Sequence, residues 1–311
     1  MEPKTFLVEA GRLVLYSLYP LYMLYINFIF LGLFILDPKK FGDAGVLVLF
    51  IIFNIFQTFI IVYYILIFTS DSKSTQDIFP MTSDRKIERN FSNINPFIAE
   101  ALQRGSIEKT HTCGICQTYK PPRCHHCSRC NKCYLKMDHH CLFLDVCIGF
   151  HNYKFFLQFL ISNVIFIIFY VTIVDVDTSL TTNALDAETI VNLAISSTLS
   201  AIILVIFCLT LVFHLFLISN NETTIEFFAI NSYLEGDHSY RHVFQEGPIT
   251  QFSESKDRRH LNPYNLGTKE NWKEIFGNSI KEWISPSFTS SGDGITFKKN
   301  TVEKDEIFFK I

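Results

Sequence analysis

Eight of the nine cysteines in this chain crowd between Cys113 and Cys147, with His125, His126, His139 and His140 among them and His111 just upstream. Structural zinc takes four sulfur or nitrogen ligands, commonly delivered as Cys-x2-Cys pairs plus histidine. Three such pairs are present: Cys113/Cys116, Cys127/Cys130 and Cys130/Cys133. The thiols and imidazoles together make thirteen candidate ligands, whereas two tetrahedral sites use about eight. Several are therefore left over. A spare cysteine beside a spare histidine is the equipment of nucleophilic catalysis, because the thiolate attacks and the imidazole accepts its proton. Asp138-His139-His140-Cys141 supplies that pairing with a carboxylate beside it. The metal spacing argues against a disulfide framework and for a reducing compartment; Cys208 alone lies elsewhere, inside an apolar run.

The order of these residues resembles the cysteine-rich domain of the DHHC protein S-acyltransferases, the palmitoyltransferases. The pattern Cys-x2-Cys-x3-Lys-Pro-x-Arg-x2-His-Cys-x2-Cys-x2-Cys-x4-Asp-His-His-Cys-x5-Cys-x-Gly-x2-Asn is met from Cys113 to Asn152 at every Cys, His and Asp, and the similarity runs on to Phe156. The resemblance implies two structural Zn²⁺ ions. One would sit on Cys113, Cys116, His126 and Cys133, the other on Cys127, Cys130, His140 and Cys147, leaving Cys124, His111 and His125 unassigned. It implies Cys141 as nucleophile, His139 as base and Asp138 as the carboxylate that orients His139. It also implies palmitoyl-CoA or a similar long-chain acyl-CoA as co-substrate. The acyl group would pass to Cys141 and then, in a two-step ping-pong reaction, to cysteines of membrane-associated proteins. No nucleic-acid partner is expected.

The chain departs from the family pattern in three places. Leu142 and Phe143 stand where Pro and Trp are usual, and Val146 where Asn is common. Phe143 keeps an aromatic ring beside the thioester and is expected to contact the acyl substrate. An Asp-Pro-Gly motif after the second apolar run is replaced by Thr69-Ser70-Asp71-Ser72-Lys73. These differences bear on rate and acyl preference rather than on the chemistry.

Such a site needs elements that hold it at a membrane, and the composition provides them. Hydrophobic residues make up 49% of the chain, phenylalanine alone occurring 32 times, and the mean hydropathy is +0.23. Four runs are free of charge, 13–36, 44–68, 155–174 and 189–218, each reaching the roughly 20 residues a helix needs to cross a bilayer. Buried helices of a soluble protein are a poor alternative, because too little polar sequence would remain to cover them. The expected fold is an all-α integral membrane protein with four transmembrane helices and a cytosolic two-zinc domain between the second and third.

Basic residues near span ends set orientation. Residues 70–154 carry twelve Lys or Arg, whereas 175–188 carries none and four acids. The cysteine cluster and both termini are thus expected in the cytosol, Lys39 and Lys40 in the first loop being outweighed. Within the first run, Tyr16, Tyr19, Tyr22 and Tyr25 read as interfacial anchors, and Asn54 and Gln57 in the second as hydrogen-bonders between helices.

The expected layout is a short cytosolic start at 1–12, a linker and zinc domain at 70–154 with its core at 113–152, a cytosolic C-terminal domain at 219–284, and a flexible tail at 285–311. The C-terminal domain opens on Thr223-Thr224-Ile225-Glu226, which matches the family's Thr-Thr-x-Glu motif. By itself it is also an ordinary helix-capping arrangement. Farther on, 262–267 and 271–277 resemble the family's C-terminal element, in which Asn271 would act as a structural support. Trp272, Ile275 and Phe276 on that short helix are expected to reach the membrane interface. Asn90 and Asn221 begin glycosylation sequons that should stay unmodified on the cytosolic side.

Two other functions compete. A membrane zinc-binding adaptor would use the cluster only to recruit partners, and a catalytically silent relative would keep the fold without the transfer. The family expectation for location is Golgi or ER rather than plasma membrane.

Overall fold

The computed structural model describes residues 3–32, 42–70, 74–78, 112–181, 186–237, 243 and 258–300. Long charge-free sequence becomes helix, since in lipid every backbone polar group must be satisfied within its own segment. Four long helices result: α1 (Pro3–Phe30), α2 (Gly42–Thr69), then, beyond the one-turn α3 (Thr75–Ile78) and the cysteine-rich segment, α4 (Tyr153–Thr181) and α5 (Ala187–Asn220). Three of them are long and apolar enough to span a bilayer, over Ala44–Thr69, Tyr153–Val176 and Ala187–Asn220. The described side chains of α1 add a shorter apolar stretch, Ser17–Phe30. Lys39, Lys40, Asn90 and His111 lie outside the described residues.

The chain divides into two compact units. The first comprises Met1–Phe68, Cys141–Val146 and Phe155–Leu215. Its helices are joined by polar contacts as well as by rings. Phe30 stacks on Phe53 at 3.9 Å, and Phe53 meets Phe166 at 5.2 Å. Tyr19 donates to Asn163 Oδ1, Tyr22 Oη lies 3.0 Å from Ser200 Oγ, and Tyr25 donates to Asn192 O. Three of the four tyrosines expected as interfacial anchors, Tyr19, Tyr22 and Tyr25, therefore tie α1 to α4 and α5 instead, while the side chain of Tyr16 lies outside the described residues. A hydroxyl among apolar helices needs a partner, and neighbouring helices supply one. Gln57 accepts from Asn27 of α1, whereas Asn54 donates to Phe50 O in its own helix.

The second unit comprises Thr69–His140, Cys147–Lys154 and Phe216–Ile311. The cysteine-rich segment adds four short strands to the expected all-α fold: β1 (His125–Cys127) and β2 (Lys132–Tyr134) within the second unit, and β3 (His139–Cys141) and β4 (Val146–Ile148), each of which shares a residue with the first. They form two two-stranded sheets, β1 with β2 and β3 with β4. Three-residue strands have little stability of their own. Each pair instead brings distant candidate ligands together, as where His126 of β1 sits opposite Cys133 of β2.

Helices α6 (Thr224–Leu234), α7 (Arg258–Leu261), α8 (Thr268–Phe276) and α9 (Ile280–Ile284) follow. The stretch from Ser285 to Asn300, expected as part of a flexible tail, is packed. Thr289 and Ser290 donate to Phe276 O and Ile275 O, Ser291 N donates to Glu274 O, and Asn300 N donates to Pro263 O. The buried Lys154 ammonium donates to Glu282 O, Ser285 O, Ser287 O and Thr289 Oγ1. Gly294 sits at φ +75 with the Phe150 ring 2.7 Å from where a Cβ would stand, so no larger residue fits there. Composition suggested looseness because small polar residues carry no hydrophobic pattern. Their order comes instead from hydrogen bonds to distant carbonyls.

Candidate catalytic and metal centre

Two groups of four ligand atoms converge, each group within 4.8 Å: Cys113, Cys116, His126 and Cys133 in one, Cys127, Cys130, His140 and Cys147 in the other. In the first, His126 Nδ1 lies 3.2–3.7 Å from the three sulfurs, and Cys116 and Cys133 Sγ are 3.7 Å apart. In the second, His140 Nδ1 lies 3.4–3.6 Å from its sulfurs and Cys130 Sγ is 3.5 Å from Cys147 Sγ. A zinc tetrahedron with Zn–S near 2.3 Å and Zn–N near 2.0 Å has edges of about 3.5–3.8 Å. These separations match the edges of such a tetrahedron, and the two donor sets are compatible with zinc.

Local structure explains how. In the Cys113/Cys116 and Cys127/Cys130 turns the second cysteine's N–H points at the first sulfur, at 3.4 Å. The residue after it is left-handed, Gln117 at φ 53 and Asn131 at φ 52, which closes the turn. The ligands interleave, so one site cannot form without drawing in the loop that carries the other. Cys124, left unassigned by sequence, is fully buried among the sulfurs of the first group without belonging to it.

Cys141 belongs to neither group. It is the third residue of β3 and His139 the first, and a strand turns residues i and i+2 to one face. Asp138 is buried and holds three donors. Thr224 gives it both its N–H (2.9 Å) and its hydroxyl (2.7 Å), and His139 Nδ1 lies 2.6 Å from Oδ2. With Nδ1–H engaged by the carboxylate, Nε2 is left as the basic nitrogen. Leu142 and Phe143 follow at 53% and 62% exposure, so Phe143 has little protein packed on its ring.

Besides holding Asp138 through Thr224, the Thr-Thr-x-Glu motif has two further tasks, and only one is the expected capping. Thr223 Oγ1 accepts from Glu226 N and Thr223 N donates to the Glu226 carboxylate, a capping box on α6. Glu226 also takes two hydrogen bonds from Arg123, both 2.7 Å. Burial would raise the Glu226 carboxyl, but the adjoining guanidinium wins and holds it below its usual range. Arg123 donates further to Asn221 and lies over the Tyr264 and Phe297 rings. Asn271 ties α8 to the end of α5, donating to Ser219 O and Asn265 Oδ1 and accepting from Leu266 N. On the same helix Ile275 and Phe276 are buried. They belong to the interior rather than to the membrane interface expected of them.

Sequence alone did not single out Asn221, Lys136 or Lys154. Asn221 is a buried hub that accepts from Arg123 and Lys136 and donates to Tyr264 O and Glu274. Its only local signal was a sequon, and its side chain is buried. A cavity of about 20 Å³, room for about one water, opens between Lys136, Asp138, Tyr153, Asn221 and Asn271.

Burial, followed by the repulsion of Arg123, pushes the Lys136 ammonium down to about 7, although Glu274, Glu226 and Asp138 pull the other way. Between that value and the ordinary lysine range the unfolded chain holds a proton that the folded chain lacks. Stability from this group therefore rises with pH across that window and is least below it. Lys136→Met should thus raise the unfolding temperature more at about pH 6.5 than at about pH 9.5, by up to a few kcal/mol of stability. Thermal unfolding at both pH values checks this, and an equal gain at both would refute it.

A family profile described as DHHC palmitoyltransferase matches residues 106–231. The chain is 32% identical over 220 residues to palmitoyltransferase ZDHHC15A of Danio rerio, covering 68% of this chain and 60% of that one. It is 32% identical over 255 residues to palmitoyltransferase ZDHHC20 of Homo sapiens, 78% of this chain and 63% of that one. It is also 33% identical over 217 residues to palmitoyltransferase PFA3 of Eremothecium gossypii, 68% and 63% respectively. The chain thus spans about half to three fifths of the length of the curated relatives it matches.

Proposed function

The chain belongs to the DHHC palmitoyltransferase family, and from that premise we propose that it is a protein S-acyltransferase whose covalent intermediate forms on Cys141. The observation that carries this reading is the Asp138 carboxylate, fixed by both donors of Thr224 and by His139, three residues before a thiol that neither metal group uses. His139 Nε2 takes the proton from Cys141 Sγ. The thiolate attacks the thioester carbonyl of a long-chain acyl-CoA, the carbon–sulfur bond to CoA breaks, and His139 returns its proton to the departing thiolate. An acceptor cysteine then repeats the sequence on the acyl-enzyme, with His139 again carrying the proton, and leaves as the S-acyl product. One thioester replaces another at each step, so no ATP is consumed.

Zinc, when bound, supplies shape rather than reactivity. The two Cys₃His groups would hold β1–β2 and β3–β4, and His140 in the second fixes the strand that carries Cys141. The remaining parts are proposed on the same footing: α1 as a fourth span, Phe143 against the acyl chain, the cysteine-rich segment on the cytosolic side, and a Golgi or ER membrane. The orientation is supported by the twelve basic residues of 70–154 against none in 175–188. A silent zinc-binding adaptor draws on the replaced Pro-Trp pair and the missing Asp-Pro-Gly, but it gives no reason for Thr224 to spend two donors on Asp138.

The test is incubation of the purified protein in detergent with palmitoyl-CoA, followed by intact mass. One acyl adduct per chain, removed by neutral hydroxylamine, is the expected result. A protein that keeps its zinc and stays unmodified would establish the adaptor instead.

A further inference from the structure

Helix α9 turns an apolar face outward. Ile280 and Ile284 are 77% and 60% exposed and Trp283 is 36% exposed, and residues spaced i, i+3 and i+4 share one side of a helix. Lys281 is exposed as well. The acid of this helix does not lie on that face, because Glu282 accepts from Asn278 N and Ser279 N in a capping box. Two isoleucines and an indole standing together in water would be costly, and such clusters mark contact surfaces.

What covers the face follows from what α9 is attached to. The Trp283 ring stacks on Trp272 at 5.7 Å and on Phe276 at 5.3 Å. Trp272 Nε1 in turn donates to Ser219 Oγ, at 3.1 Å. Ser219 lies in the last turn of α5, a candidate span, one residue beyond the end of the charge-free run at Ile218. That is the depth at which a spanning helix leaves hydrocarbon for headgroups, and tryptophan is enriched there. All these residues belong to the second unit.

We propose that Ile280, Trp283 and Ile284 of α9 are seated in the interfacial zone of the bilayer, on the face at which α5 ends. The helix would be an in-plane anchor of the kind that lies on a membrane without crossing it. It is joined to the catalytic segment through chain that begins at Ser285. Phe288 packs on the Phe150 and His151 rings, and Lys154 holds Glu282, Ser285 and Ser287 by their carbonyls. The anchor would fix the height of the second unit above the lipid. This inference does not depend on the acyltransferase reading.

The chain has two tryptophans, which makes the test direct. The full-length Trp272→Phe protein, with Trp283 as sole reporter, is reconstituted into phosphatidylcholine vesicles brominated either near the headgroup or deep in the acyl chain. Trp283 emission should be quenched by the shallow bromines far more than by the deep ones, and little by aqueous acrylamide. Adding Ile280→Asp and Ile284→Asp should reverse that order. Should Trp272→Phe fold poorly, the difference between wild type and Trp283→Phe gives the same reading. Quenching by acrylamide alone would overturn the proposal by placing the face in water. Protection from both quenchers would overturn it by showing a protein partner or a second copy on the face.

Discussion

Cys141→Ser is expected to give no acyl adduct at all with palmitoyl-CoA, while still binding two zinc ions. The eight converging ligand atoms all come from other residues, so the substitution removes one sulfur from the chemistry and none from either metal. A serine hydroxyl is far less acidic than a thiol and is a poor nucleophile without strong activation. The imidazole two residues earlier offers general-base help on the order of 10²–10⁴-fold, too little to make up that difference. His139→Ala should accordingly slow adduct formation by about that same factor instead of abolishing it, because it removes the base and leaves the sulfur nucleophile. Intact mass together with zinc content decides the matter. An adduct that persists in Cys141→Ser would move the nucleophile to another thiol, and loss of zinc in that variant would mean Cys141 is a ligand.

Removing the metal should have the largest effect on structure. The second unit has short strands, and among its buried clusters are two made mostly of the candidate ligand sulfurs. Structural zinc contributes about 10–16 kcal/mol per site in small domains, comparable to the whole stability of an ordinary domain. A strong chelator should therefore release two zinc ions per chain and open residues 112–152 to proteolysis, while the helices in detergent keep their far-ultraviolet signal. Cys147→Ser should lose at least the second ion, and with it the adduct, since His140 and Cys147 together hold β3 against β4. Zinc counted by elemental mass spectrometry gives the answer. Two ions retained in Cys147→Ser would overturn the ligand assignment.

Much of this was legible from spacing because the signals were local. A Cys-x2-Cys turn determines its own geometry within four residues, and the thiols and imidazoles that converge are those the motif brings to notice. The run 44–68 became Gly42–Thr69 and 189–218 became Ala187–Asn220, because charge-free sequence of that length has few alternatives. Thr224 could be noticed by motif, but not the carboxylate it serves, which lies 86 residues away. Arg123, Asn221 and Lys136 were harder still. All three adopt left-handed backbone, at φ 64, 50 and 41, a conformation that only packing sustains and no periodicity announces. Tyr19 and Tyr22 misled because aromatic residues near a span end look alike from sequence whether they face headgroups or Asn163 and Ser200. The strands went unforeseen because three residues carry no readable alternation.

Lys154 leaves the ribosome long before the groups that satisfy it. Its acceptors lie 128 to 135 residues later in the chain, beyond two candidate spans and every motif. During synthesis that ammonium cannot meet its full set of acceptors until Thr289 has been made. A message cut short just after Ile284 would still encode all eight ligand residues, the thiol and the Thr-Thr-x-Glu. Its product would nevertheless carry a cation with three of its four acceptors gone. The stretch from Ser285 to Thr289 thus decides whether that ammonium is satisfied, in a chain that already carries every candidate site residue without it.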